Sequence, residues 1–235
     1  MKAFLLAAGK GQRLAPLTGS VPKCLVPIRG RPLLGIWMDL CSRQGVRHVL
    51  INTHHLARQV AEYLEAQRFP LEVTLVHEEA LLGSARTVAL NRAFVQGEDR
   101  FLILYADNLT DLDFGPLVEF HATHDGVLTM GVCRSGEPAR GGVVEMDERG
   151  RIIGFEEKPR QPRSCWINAG VFCAGPALFD RIPDREHVDF GYDVLPGLVG
   201  AMYGYRINEY FLDIGTPEAY QRAQAEWGES FNDHP

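Results

Sequence analysis

The chain has 235 residues, 46% of them hydrophobic and 23% charged, which is typical of a globular protein and excludes a disordered one. Its net charge of −6 disfavours a nucleic-acid partner, because phosphate backbones are bound by basic surfaces. The five cysteines include no C-x-x-C pair and the apolar stretch before Gly9 is too short for a signal sequence or a membrane span, so we expect a cytoplasmic protein with no disulfide framework and no membrane partner.

The first 132 residues alternate between strand-like and helix-like segments. A continuous apolar run at 3–8 predicts a buried strand, and apolar residues at helical spacing predict a helix at 33–43. Alternation of this kind indicates βαβ units and a mostly parallel sheet flanked by helices. The remaining segments are strands at 46–52, 71–77, 101–106 and 127–132 and helices at 55–67, 84–95 and 114–124.

The pattern changes after residue 132. Residues 141–159 predict two strands around a tight turn at 148–150, and a further strand is predicted at 166–174. Helices are predicted at 189–199 and 216–227, the second with Thr216 as its N-cap. We therefore expect a single domain over 1–235, in which 133–228 adds a small β region to the sheet of 1–132.

The segment "AAGKGQR" follows the first predicted strand, where an open parallel sheet binds its ligands. Gly9 and Gly11 allow the backbone N–H groups to approach an anion, and Arg13 and Lys23 supply positive charge suited to phosphate. Neither the P-loop pattern nor the dinucleotide pattern G-x-G-x-x-G is present. The loop predicts a phosphate site of another kind, although a plain tight turn remains an alternative.

Two aspartates follow apolar runs in the same way. Asp107 ends the run at 101–106, and Asp213 ends a shorter run before the helix that Thr216 begins. Because Mg²⁺ takes one or two carboxylates and leaves its other positions to water and phosphate oxygens, the pair predicts a magnesium site. A turn or cap role for Asp107 is the alternative.

Polar residues at two later strands are candidates for a second ligand group. Lys158 is suited to a phosphate and Glu157 to sugar hydroxyls, although a solvated strand end is the alternative for both. Asn168 offers an amide to a hydroxyl, and Gly170 permits close approach. The histidines have no zinc spacing and the cysteines have no activating partner, so we expect neither metal-bound histidine nor a thiol nucleophile.

Nine short segments, in order, resemble the sugar-1-phosphate nucleotidylyltransferases, and most closely the short mannose-1-phosphate guanylyltransferase-like members. The resemblance runs from residue 3 to about 225 and implies a Rossmann-like, GT-A-like α/β fold with a nucleotide-binding half at 1–132 and a sugar-binding half at 133–228. The segments are "LAAGKGQRL", "PK", "GRPLL", "LGSA", "ADN", "GVVEMDERGRIIGFEEKP", "NAGVF", "DVLP" and "LDIGTPEAY".

The resemblance implies an enzyme that joins a nucleoside triphosphate and a sugar 1-phosphate with release of pyrophosphate, by Mg²⁺-assisted in-line attack without a covalent intermediate. The roles it implies are as follows. Arg13 and Lys23 are the implied catalytic residues, and Asp107 and Asp213 the implied metal ligands. The implied nucleotide-binding residues are Leu6, Ala8, Gly9, Gly11, Gln12, Arg13, Glu78 and Gly83. The implied sugar-phosphate-binding residues are Asn108, Gly142, Glu157, Lys158, Asn168 and Gly170.

Substrate identity is less defined by the sequence. A carboxylate at Glu78 accepts from two donors on the guanine edge and from only one on uracil or thymine, so we expect GTP, with mannose 1-phosphate or a manno-heptose 1-phosphate. Uridylyl or thymidylyl transfer to glucose 1-phosphate or another sugar phosphate is the alternative, and a non-catalytic nucleotide-sugar-binding protein is the alternative of another class. Gln12 and Cys24 stand where the family often has Thr and Pro. A homodimer is left open.

Overall fold

The computed structural model of the protein describes residues 1–228. The α-helices in this range are α1 (Leu33–Arg43), α2 (Ala57–Ala66), α3 (Ser84–Leu90), α4 (Phe114–His121) and α5 (Pro217–Glu226). The strands are β1 (Lys2–Leu6), β2 (Pro27–Ile28), β3 (Arg31–Pro32), β4 (His48–Thr53), β5 (Glu72–His77), β6 (Phe101–Tyr105), β7 (Asn108–Thr110), β8 (Leu128–Arg134), β9 (Gly142–Met146), β10 (Ile152–Glu157), β11 (Trp166–Ala174), β12 (Met202–Arg206) and β13 (Phe211–Asp213). None of the described helices combines the length and the apolarity needed to cross a bilayer.

The chain divides into two compact units. Unit A comprises Leu5–Ala80, Tyr105–Leu112 and the segment that starts at Glu209, and unit B comprises Met1–Phe4, Leu81–Leu104 and Asp113–Asn208. Strands β1 and β6 have residues in both.

Unit A contains β4 and β5, which are parallel and in register from His48 opposite Glu72 to Thr53 opposite His77. Helix α1 supplies much of its core, because Leu33, Leu34 and Trp37 are at most 1% exposed. Short antiparallel pairs, β2 with β3 and β7 with β13, complete the unit. The C-terminal helix α5 is attached to the β2 strand by the Tyr220 hydroxyl, which donates to the Pro27 carbonyl at 3.0 Å.

Unit B is organised around β11. This strand pairs antiparallel with β6, β8 and β9; β10 continues antiparallel from β9, and β12 lies parallel to β8. The buried rings of Phe172 and Phe190 stack at 5.8 Å, and the buried ring of Phe101 stacks at 5.5 Å on the partly exposed ring of Phe179. The predicted α/β fold, a mostly parallel sheet flanked by helices, is confirmed, with its antiparallel ladders concentrated at β11.

Several predicted elements match closely. The helix at 33–43, the strand at 166–174 and the antiparallel pair around residues 148–150 are all present. Thr216 caps α5 as predicted, since its hydroxyl oxygen accepts from the Ala219 N–H at 3.2 Å. Capping by a side-chain oxygen satisfies a helix N–H that has no partner within the helix.

Three predicted helices are shorter or of another kind. The helix predicted at 84–95 ends at Leu90 because Asn91, whose amide donates to the Thr87 carbonyl at 2.9 Å, closes it before a 3-10 turn at Arg92–Val95. The helix predicted at 114–124 ends at His121. The segment predicted as a helix at 189–199 is a π-helical turn (Phe190–Val194) followed by a 3-10 turn (Leu195–Leu198), because Pro196 has no N–H for an α-helical bond.

Candidate active site

The loop after β1 is shaped by Gly11. This residue has φ +63° and precedes the 3-10 turn Gln12–Leu14. A Cβ added there would lie 2.9 Å from Thr18 Cγ2 and 3.0 Å from Lys23 Cβ, and the Thr18 hydroxyl donates to the Gly11 carbonyl at 2.8 Å. Gly9 differs, because a Cβ added there meets nothing within 4 Å. Packing therefore requires glycine at position 11, whereas at position 9 glycine leaves open backbone facing outward.

Four charged side chains of unit A form a connected group, here called the charged cluster: Arg13, Lys23, Asp107 and Asp213. The Lys23 ammonium donates to Asp107 Oδ2 at 2.8 Å and lies 3.6 Å from Asp213 Oδ1. Arg13 lies 3.6 Å from the other oxygen of Asp213. Positive and negative groups alternate through the cluster, and the two carboxylates share one ammonium.

The pairing of β7 with β13 brings the two aspartates together. Asp213 is in register opposite Asn108, the residue that follows Asp107, and the pairing continues to Phe211 opposite Thr110. The Trp37 indole N–H donates to the Asn108 carbonyl at 2.8 Å, which fixes β7 against α1. A three-residue strand pair thus joins carboxylates that are far apart in the sequence.

The electrostatics of the cluster favour the charged form of Asp107. Burial alone would raise the pKa of Asp107, but the charge and the hydrogen bond of Lys23 outweigh it and hold the pKa below its usual 3.8. The Lys23 side chain is only 6% exposed, whereas the side chains of Asp107 and Asp213 are 44% and 49% exposed. A buried ammonium therefore underlies two carboxylates that still face solvent.

These carboxylates fit the donor set of a magnesium ion. Hard divalent cations of this size bind through one or two carboxylates and keep water or phosphate oxygens at their other positions. The oxygens Asp107 Oδ2 and Asp213 Oδ1 lie 2.8 Å and 3.6 Å from the same Lys23 ammonium, which limits the distance between them. Both side chains are half-exposed. The described residues contain no group of three or more His, Cys, Asp or Glu suited to a metal, so a site here relies on these two acids.

A second polar network in unit A surrounds Glu78, which follows β5. Glu78 is 4% exposed and its Oε1 accepts from the Asn52 amide at 2.8 Å. The Asn52 oxygen accepts from the Ala7 N–H at 2.7 Å, at the end of β1. Leu6 accepts from the Ala106 N–H at 3.0 Å, and Ala8 is 7% exposed. Sequence reasoning missed Asn52, although its position at the end of a buried strand matches that of Asp107.

In unit B, the carboxylate of Glu157 lies against bare backbone. A Cβ added to Gly142 or to Gly191 would lie 2.7 or 2.6 Å from Glu157 Oε2, so both positions must be glycine for the carboxylate to lie there. Burial raises the pKa of Glu157 above its usual 4.5, and Lys158, 3.6 Å away, opposes this. The exposed ring of Tyr192 lies 5.5 Å from the Lys158 ammonium and was not predicted from the sequence.

The other predicted residues of unit B have local structural partners. Asn168 Oδ1 accepts from the Gly170 N–H at 2.8 Å, where β11 has an irregular register and Gly170 has φ +67°. Gly83 has φ +85°, and a Cβ added there would lie 2.4 Å from the Val188 carbonyl oxygen. The structure thus explains both glycines by backbone conformation and packing, and Asn168 lies at the surface of a strand bulge.

Cysteine and histidine chemistry has no candidate in the described residues. All five cysteines are free, and burial raises the pKa of Cys24 to about 12, which disfavours a thiolate. His54 Nδ1 lies 2.8 Å from the Glu78 carbonyl and His55 Nε2 lies 3.2 Å from the Thr18 carbonyl, which are local structural contacts. The charged cluster is therefore the candidate reactive centre among the described residues.

Comparison with known proteins identifies the family to which the chain belongs. The family model for nucleotidyl transferases matches residues 2–230, so the chain belongs to this family. A mannose-1-phosphate guanylyltransferase of Mycobacterium tuberculosis is 33% identical over 95% of the chain and 64% of its own length. A UTP–glucose-1-phosphate uridylyltransferase of Synechocystis is 31% identical over 95% of the chain and 62% of its own length.

The fold is shared with a solved structure. The crystal structure of HddC from Yersinia pseudotuberculosis superposes with a TM-score of 0.82 and 24% identity, covering 95% of this chain and 98% of that one. The chain thus spans less than two thirds of the curated relatives above but almost the whole of HddC.

Proposed function

We propose that this chain transfers a nucleoside monophosphate from a nucleoside triphosphate to a sugar 1-phosphate and releases pyrophosphate. The observation that carries the proposal is the charged cluster, in which Asp107 and Asp213 share one buried ammonium. The cluster lies directly beside the loop of Gly9 and Gly11, here called the glycine loop. The chain belongs to the nucleotidyl transferase family, and its relatives include sugar-1-phosphate enzymes by name.

The reaction makes few demands on acid–base chemistry. An oxygen of the sugar phosphate attacks the α-phosphorus, forming a new P–O bond while the bond to the β-phosphate oxygen breaks and pyrophosphate takes the electron pair. Because the attacking group is already an anion, no residue has to remove a proton. Positioning and charge neutralisation then supply the rate enhancement.

The chain's own residues divide these tasks. Open backbone at Gly9 admits the triphosphate, and Arg13, whose side chain is 59% exposed, binds the departing pyrophosphate. Lys23 contacts the phosphate under attack, for which its ammonium leaves Asp107. Lys158, with a 52% exposed side chain, binds the sugar phosphate, and Glu157 accepts from sugar hydroxyls.

Asp107 and Asp213 would hold Mg²⁺. A bound magnesium ion neutralises charge that builds up on the phosphate oxygens during the transfer. The structural support is the half-exposed state of both carboxylates, whose oxygens are accessible to a cation once the Lys23 ammonium has moved to the phosphate.

Guanine is the base that the chain's own residues favour. The Glu78 carboxylate is buried and held by the Asn52 amide, and it would accept from the N1–H and 2-amino donors of guanine. We propose GTP as donor and mannose 1-phosphate or a manno-heptose 1-phosphate as acceptor, in keeping with the guanylyltransferase names of several relatives. Uridylyl transfer to glucose 1-phosphate is the second candidate, favoured by the Synechocystis relative.

The test is pyrophosphate release across a matrix of nucleotides (GTP, UTP, dTTP, ATP, CTP) and sugar phosphates (mannose, manno-heptose and glucose 1-phosphates). Turnover that is highest with GTP supports the guanylyl proposal, and turnover confined to UTP or dTTP would overturn it. Nucleotide binding with no pyrophosphate release from any pair would instead favour a binding protein.

The metal assignment is tested separately with Asp213→Asn, matched by Asp39→Asn, which removes a carboxylate from an exposed ion pair with Arg31. We expect the first variant to lose Mg²⁺-dependent turnover by about 100-fold or more while the control stays within about twofold of wild type. Equal rates in the two variants would remove Asp213 from the reaction.

A further inference from the structure

Asn52 is a buried amide, 4% exposed, whose orientation is fixed by its partners. The Ala7 N–H, which can only donate, points at Asn52 Oδ1 at 2.7 Å. The amide nitrogen therefore faces Glu78, and Nδ2 donates to Glu78 Oε1 at 2.8 Å. Because an amide nitrogen cannot accept, Oε1 has to act as an acceptor in this arrangement.

The backbone of Glu78 is held to the same strand end. Its N–H donates to the Thr53 carbonyl at 2.8 Å, and its carbonyl lies 2.8 Å from His54 Nδ1. Contacts with three consecutive residues at the end of β4 thus locate both the main chain and the side chain of Glu78. A buried carboxylate needs such partners to offset the loss of water.

We propose that Asn52 is a positioning residue that sets selectivity for guanine. Through one amide it links Ala7, where the phosphate-binding loop begins, to Glu78, the carboxylate that would accept from the base edge. The amide thereby fixes the spacing between the base site and the phosphate site and keeps the carboxylate oriented as an acceptor. This inference rests on the guanylyl transfer proposed above.

Asn52→Asp separates this role from a purely structural one. The replacement has the same shape and keeps an oxygen for the Ala7 N–H, so the contact with β1 survives. Where the amide donated to Glu78, a carboxylate now faces a carboxylate, so the two groups repel each other or share one proton, and Glu78 is no longer a fully charged acceptor. The variant therefore disturbs the Glu78 carboxylate while sparing the strand end.

The experiment compares GTP with ITP, which retains the N1–H donor of guanine but lacks the 2-amino group. In the wild type we expect a higher kcat/KM for GTP than for ITP. In Asn52→Asp we expect this ratio to fall by about tenfold or more, mainly through the KM for GTP, with kcat changed by less than about threefold, because a hydrogen bond to a charged group supplies discrimination of this size.

Asn91→Asp is the matched control, since it makes the same chemical change at an amide that donates to the Thr87 carbonyl of α3. We expect it to keep the wild-type ratio. If Asn52→Asp does not fold, Asn52→Ser, which adds no charge and cannot bridge Ala7 and Glu78 together, is measured in its place with the same expected fall.

Three results would overturn the inference. A folded Asn52 variant that keeps the wild-type GTP-to-ITP ratio would overturn the positioning role alone, and so would a wild type that turns over GTP and ITP equally well. A wild type that uses UTP and not GTP would overturn the guanylyl function, and the inference with it.

Discussion

Replacing Lys23 by methionine tests whether the charged cluster exists for stability or for reaction. Methionine keeps most of the buried volume and removes the ammonium that Asp107 and Asp213 share. A hydrogen bond to a charged partner contributes about 1.5–3 kcal/mol. This loss is offset because the variant no longer has to bury an ammonium, whose side chain is only 6% exposed in the wild type. Both carboxylates are about half-exposed, so water replaces much of the interaction that they lose. We therefore expect the free energy of unfolding near pH 7 to fall by no more than about 1 kcal/mol.

Turnover responds differently in the same variant. Removing a donor aimed at the charge that develops in a transition state lowers kcat by about 100- to 1,000-fold. Denaturant unfolding and pyrophosphate release measured on the same preparation give both quantities. Lys2→Met is the matched control, because Lys2 donates to the Phe94 carbonyl at 2.6 Å and lies over the Phe94 ring, and we expect it to lose about 1 kcal/mol of stability with normal kcat.

The pH dependence of Lys23→Met adds a check on its cause. Since Lys23 holds the pKa of Asp107 below 3.8, the stabilisation from this pair is present above about pH 3.8 and is lost as the pH falls through the lowered value. The stability difference between wild type and variant is then expected to shrink in acid. A kcat within about threefold of wild type would refute the assignment of Lys23 to the reaction, and a stability loss of more than about 3 kcal/mol would refute the expectation that the cluster contributes little to folding.

Four further substitutions are expected to have separable effects. Gly11→Ala should lower stability by about 1–3 kcal/mol in denaturant unfolding, because φ is +63° and the new Cβ contacts Thr18 and Lys23, whereas Gly9→Ala should leave stability unchanged and raise the KM for the nucleotide. Burial lowers the pKa of His121 to about 4, so this residue should make the free energy of unfolding fall as the pH drops from about 6.5 towards 4, by at most about 1.4 kcal/mol per pH unit. His121→Gln should reduce the slope and leave the part due to His124, whose pKa burial also lowers. Glu157→Gln should raise the melting temperature at neutral pH, because the raised pKa of Glu157 means that its charged form disfavours folding, while raising the KM for the sugar phosphate; an unchanged KM would contradict its role.

Local sequence signals predicted the elements that carry strong periodicity or clear ends. The helix at 33–43 was placed correctly because its apolar positions recur at helical spacing, and α5 because Thr216 and Pro217 mark its start. The loop at Gly9–Gly11 and the two aspartates were selected as site candidates on another local signal, since each follows an apolar run.

What could not be predicted depends on pairing between distant segments. Strands β7 and β13 have three residues each, too few to show a period, yet their register brings Asp213 opposite Asn108. The π-helical turn at Phe190–Val194 is specified by contacts such as Asp189 accepting from the Ser84 hydroxyl at 2.8 Å, across more than a hundred positions. Asn52 resembles an ordinary strand residue until Ala7 and Glu78 are placed on either side of it.

The pairing of β7 with β13 also sets when, during synthesis, the charged cluster becomes complete. Thr110 and Tyr210, at one end of this pair, are 100 positions apart. At about 5–20 residues per second, a ribosome needs roughly 5–20 s to make that length of chain. Throughout this interval a nascent chain carries Lys23 and Asp107 but not the second acid. The pair of carboxylates proposed to hold the metal is thus completed late, and a chain interrupted between Asp107 and Asp213 has the loop after β1 and the ammonium with only one of the two acids.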